Sequence, residues 1–168
     1  MINSVKIIRS SNRKRTIGAK LEGDTLVVHA PEEIPGEELS KVIETFKRRL
    51  ARRMLKKEAN KSEDLAALAE KLNRKYFGGA VKVNSIEYTA NQTSKFGVCN
   101  SMCREIRISH VLAKMPDWVR DYVVIHEMAH ILEPNHSAAF WAIVGRYELA
   151  ERARGYLMGK GMEDNEFI

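Results

Sequence analysis

An α+β fold, with a small sheet packed on helices, is what this sequence of 168 residues predicts. Two groups of short segments alternate apolar and polar residues at the two-residue period of strands. Between and after them lie four stretches whose apolar residues recur at intervals of three and four, the spacing of one helical stripe. The chain is long enough to bury a core without disulfides, and its 44% hydrophobic and 30% charged residues exclude a disordered, collagen-like or disulfide-scaffold protein.

Over residues 5–30 the segments VKII, TIGAKLEG and DTLVVHA read as two or three short strands, with a turn at Glu22, Gly23 and Asp24. Pro31 and Pro35-Gly36 end that section. Beyond them Leu39, Val42, Ile43, Phe46, Leu50 and Met54 share one face of a helix that runs to about residue 59. Ser62, followed by Glu63 and Asp64, reads as the cap and acidic first turn of a second helix; its stripe of Leu65, Leu68, Leu72 and Tyr76 stops at Gly78-Gly79. Residues 81–89 and 104–109 predict two strands of a small antiparallel or mixed sheet, joined by a loop with the sequence NQTSKFGVCNSMC. Pro116 and Asp117 open a third helix, WVRDYVVIHEMAHIL, apolar enough to be largely buried, and Pro134 closes it. Ser137 or Asn135 caps a fourth helix that extends to about Leu149. The tail after Gly155, ending EDNEFI, reads as a mobile acidic stretch. The expected organisation is residues 1–60 as strands and a long basic helix, and residues 61–168 as the remainder of one compact unit.

Charge is segregated. The chain has 28 Lys and Arg against 22 Asp and Glu, a net +6. Residues 1–20 carry six basic side chains and no acid, and residues 47–61 carry eight against Glu58 alone. Such a helix face can attract a polyanion, although it lacks interleaved aromatic residues on which bases could stack. No uninterrupted aliphatic run, residues 123–125 included, approaches the roughly 20 residues a bilayer requires, so no membrane-spanning helix is expected. The N-terminus shows no apolar export signal, and two cysteines, Cys99 and Cys103, suit a reducing compartment; the expected location is cytoplasmic.

The third helix contains His126-Glu127-Met128-Ala129-His130, the H-E-x-x-H pattern. Histidines four apart lie about 6 Å apart along one helical face, so both imidazoles can reach one ion at the roughly 2.0 to 2.1 Å that zinc requires. Glu127, about 100° around the helix from His126, can flank the ion without binding it, which suits a general base. His136 follows six positions after His130, and Pro134 breaks the helix so that the chain can turn back toward the same ion. Three neutral imidazoles leave a fourth position open, the mark of a catalytic rather than a structural zinc site. Glu148 is an alternative third ligand if the fourth helix returns along the third. His29 and His110 have no such spacing and read as ordinary residues. Phe140 and Trp141 read as supports beneath the metal, and Tyr147, Arg146 and Asn135 as candidate donors to an oxyanion. Cys99 and Cys103, without two further spaced ligands, are a weak metal signal.

The stretch YVVIHEMAHILEPNHSAAFW, residues 122–141, resembles the YgjP-like metallopeptidases, relatives of the SprT-like and WLM zinc peptidases. Weaker correspondences are SKFGVC, residues 94–99, where that family usually has Trp at the place of Phe96 and Ser at that of Val98, and the N-terminal VVHAPEEI. The resemblance implies a zincin-like catalytic domain with His126, His130 and His136 as zinc ligands and Glu127 as catalytic acid and base. A zinc-dependent peptidase acting on a peptide or protein is therefore the expected function, with the substrate lying as an added strand on an edge of the small sheet. Two alternatives remain: a metal-dependent endoribonuclease, since YbeY-like enzymes share the His-x3-His-x5-His spacing but have glycine where Glu127 stands, and a nucleic-acid-binding module with structural zinc.

Overall fold

The computed structural model describes residues 2–92 and 95–160. The chain divides into two compact units, Met1–Met54 and Leu55–Ile168, with the boundary inside the first helix. In the first unit, strands β1 (Ser4–Ser10), β2 (Gly18–Glu22) and β3 (Thr25–Pro31) form a sheet in the order β1-β3-β2. β2 and β3 are antiparallel about the predicted turn, and β1 runs parallel to β3. Leu26, Val28 and Ala30 of β3 pack with Leu39 and Ile43 from the start of helix α1 (Gly36–Ser62), which makes the predicted apolar stripe the wall of a small core.

The second unit holds the end of α1, helix α2 (Leu65–Phe77), strands β4 (Ser85–Thr89), β5 (Gly97–Asn100) and β6 (Glu105–Ser109), and helices α3 (Asp117–Leu132), α4 (Ala138–Val144) and α5 (Ala150–Gly159). The cap of α2 is Asp64 rather than Ser62: its carboxylate accepts from the backbone of Ala66 and Ala67, whereas Ser62 belongs to α1 and donates to Ala59. Gly78 closes α2 with φ +61°, a left-handed position that glycine takes without steric cost.

Two expectations fail here. The segment read as a loop contains β5, which pairs antiparallel with β6 while β4 pairs parallel with it, so the sheet is mixed, in the order β4-β6-β5. The fourth helix ends at Val144, and a separate α5 follows from Ala150 past Gly155 to Gly159. The acidic end EDNEFI lies outside the described residues.

Helix α3 is the axis of this unit. Its residues from Tyr122 through Ala129 are all buried, against α2 on one side, the sheet on another and α4 and α5 below. Its first turn is anchored by Arg120, whose guanidinium reaches Glu63 at 2.6 Å, Asp121 at 2.9 Å and Asp117 at 3.2 Å. Pro134 does what proline predicts: Glu133 before it adopts an extended conformation, φ −127°, and the helix stops. Among the described residues, no helix is long and apolar enough to cross a membrane.

Candidate metal centre

The turn imposed by Pro134 decides where His136 goes. It returns the chain so that ligating nitrogens of His126, His130 and His136 all lie within 4.8 Å of one another; among the described residues, no other group of three His, Cys, Asp or Glu comes together in this way. The three rings sit at centroid distances of 4.7 to 5.1 Å. His126 Nε2 and His136 Nε2 are 3.1 Å apart. Two nitrogens each about 2.0 to 2.1 Å from one tetrahedral ion are about 3.3 Å apart, so the pair is already spaced for a shared cation. Two neutral imidazoles cannot aim lone pairs at each other at this distance without a proton or a cation between them.

The surroundings keep these rings in ligating form. His126 is fully buried. Desolvation first, then the neighbouring His130 and His136, push its pKa from the ordinary 6.5 down to about 2, so it is neutral at physiological pH. His130 Nδ1 lies 3.3 Å from the carbonyl oxygen of Glu133. A carbonyl can only accept, so the proton sits on Nδ1 and Nε2 is the nitrogen with the lone pair. Phe140, fully buried at the start of α4, stacks on His130 at 4.5 Å and meets His126 and His136 edge-on, while Trp141 stacks on His136 at 5.5 Å. Ser137 caps α4 by accepting from the Phe140 amide, which fixes both aromatic residues one turn past the last histidine.

Glu127 points from α3 toward β5. It is 2% exposed yet helps line an open cleft of about 340 Å³ together with His130, His136, Asn135, Val98 and Cys99. The Cys99 thiol is pushed up to about 12, chiefly by burial and further by the charge of Glu127.

The remaining sequence candidates separate cleanly. Glu148 does not join the histidines; its carboxylate accepts from the Tyr76 hydroxyl at 2.8 Å and faces Lys75. Tyr147 donates to the carbonyl of Trp118 and Arg146 to that of Tyr76, so both are engaged away from the cleft, which Asn135 lines. His29 lies on β3 in the first unit, and His110 begins a short 3-10 turn after β6; neither belongs to the cluster. Gly97 and Val98 fall in the SKFGVC segment that the resemblance singles out, but the residues alone did not reveal strand β5, which sets them beside Glu127.

A buried H-E-x-x-H helix that meets a third imidazole beside a solvent cleft defines a class, the metal-dependent hydrolases, and this chain is one. Residues 13–150 match the family model described as YgjP-like, metallopeptidase domain, and the chain belongs to that family. It is accordingly a metal-dependent peptidase whose substrates are peptides or proteins. Among solved structures, the chain is similar to the metallopeptidase zymogen of Pyrococcus abyssi abylysin, with 20% identity and a TM-score of 0.49 over 58% of this chain and 95% of that one. No curated protein matches the sequence.

Proposed function

We propose that this peptidase is zinc-dependent, that His126, His130 and His136 hold the ion, and that Glu127 is its general base and acid. The convergence of three imidazole nitrogens within 4.8 Å, beside a carboxylate in an open cleft, carries this reading. An all-nitrogen set of three suits zinc, with the remaining position left for chemistry. Zinc held there supplies a Lewis acid that polarises a carbonyl and lowers the pKa of water toward about 7.

The chain's own residues do the rest. Burial keeps His126 neutral, and the Glu133 carbonyl orients the His130 ring. Phe140 and Trp141 brace the imidazoles from below. Glu127 accepts a proton from the attacking water and returns it to the departing amine, a role worth about 10² to 10⁴ in rate. Among the described residues β5 is an edge strand, bonded to β6 on one side. Its Val98 and Cys99 line the cleft, so an extended substrate can pair with its open edge and lay its peptide bond beside Glu127. Asn135, which also lines the cleft, is the candidate donor to the oxyanion.

The endoribonuclease alternative required glycine in place of Glu127 and finds no support in the family matched. Nucleic-acid binding by the basic face of α1 likewise finds none. We place the protein in the cytoplasm on the strength of its two unpaired thiols, which suit a reducing compartment.

The test is Glu127→Gln, assayed on casein and for metal content. The variant should keep its zinc and lose hydrolysis by at least about 100-fold. Cleavage at the parent's rate would refute the assignment of the base.

A further inference from the structure

Gly97 opens β5, is buried, and pairs with Ile108 of β6. Glycine inside a strand weakens it and needs a reason. The reason is not backbone conformation, because among the described residues those with left-handed φ are Gly23, Gly78, Gly79 and Arg104. The reason is space. A Cβ placed on Gly97 would lie 2.7 Å from both Cγ and Cδ of Glu127, and closer still to Oε1, whereas real Cβ contacts essentially never fall under 3.0 Å.

Neither backbone can retreat cheaply, so the flexible Glu127 side chain is what must shift. β5 is held against the core by its ladder to β6, and just before it the Phe96 carbonyl accepts from the Ser109 amide at 2.7 Å. Phe96 itself is 1% exposed. On the other side, Ile125, His126 and Met128 of α3 are fully buried, which fixes the helix that carries Glu127. Any side chain at position 97 therefore displaces the carboxylate and not the backbone.

We propose that Gly97 is the positioning residue of the peptidase site: its missing side chain is the slot that Glu127 occupies, and this slot aims the carboxylate into the cleft. The proposal rests on the catalytic role assigned to Glu127. Gly97 touches no reacting atom and acts only through the placement of that group, where a misplacement of about 1 Å can cost about 100-fold in rate.

Gly97→Ala should keep about one equivalent of zinc by metal analysis, as Glu127→Gln does, while kcat for casein falls at least about 100-fold with a much smaller change in KM. It should also lower the melting temperature. Introduced into Glu127→Ala, which empties the slot, the same methyl group should leave the melting temperature unchanged or raise it, because alanine is better than glycine in a strand. If Gly97→Ala fails to fold, the double variant should fold. Parental activity in Gly97→Ala, with Glu127→Gln inactive, would overturn the proposal and leave the role of Glu127 standing. An equal fall in melting temperature in both backgrounds, or a double variant that also fails to fold, would overturn it as well. Parental activity in Glu127→Gln would instead remove the catalytic role on which the proposal depends.

Discussion

Acid should destabilise the metal-free protein through His126 in particular. In the unfolded chain this histidine titrates near its ordinary 6.5; in the fold, desolvation and its two neighbouring imidazoles bring it down to about 2. At pH 7.5 it is neutral in both states and contributes nothing to pH dependence. Below 6.5 the unfolded chain takes up a proton that the fold refuses, so stability falls with pH until about 2 and then levels. Between pH 7.5 and pH 5 this linkage removes about 2 kcal/mol, approaching about 1.4 kcal/mol for each further pH unit. The assay is urea unfolding with a chelator present at both pH values, run on the parent and on His126→Leu. With an m-value of about 2 kcal/mol/M, the parent's midpoint should drop by about 1 M more than the variant's. Identical drops in the two proteins would refute the argument that burial holds His126 neutral.

Two further outcomes test the surroundings of the cluster. Phe140→Ala removes a fully buried ring packed on all three histidines and should cost about 3 to 5 kcal/mol in the metal-free protein, read from the same urea titration; a loss under about 1 kcal/mol would mean that the ring does not brace the imidazoles. Cys103 is exposed, whereas the half-buried Cys99 thiol is pushed up to about 12, so a thiol reagent at pH 7.5 should label Cys103 first by a wide margin in peptide mapping. Equal labelling would contradict the packing of β5 against Glu127.

What the sequence made legible follows the range of the interactions involved. Helix α3 was readable because both its ends are set locally, by Pro116-Asp117 and by Pro134, and the same proline made the return of His136 readable. The break between α4 and α5 was not. Phe140, Val144, Tyr147, Ala150, Ala153 and Leu157 are all buried and keep a spacing of three and four across the interruption, so periodicity alone carries the fourth helix past Val144 to its expected end near Leu149 and does not mark the break. β5 was missed because GVCN has no alternation of its own; it is a strand through its pairing with β6. Ser62 and Asp64 are both good caps, and only the extension of α1 to Ser62 leaves the role to Asp64. The slot at Gly97 lay furthest from view, since the need for glycine arises from a side chain 30 positions away on another element.

Metal analysis of the purified protein beside a His136→Ala variant addresses the metal centre most directly. His136 is exposed, so its removal takes away one imidazole without opening the core. About one equivalent of zinc in the parent and far less in the variant is the result predicted for a three-histidine site. Equal zinc in both proteins, or none in the parent after purification without chelator and with zinc supplied, would contradict it.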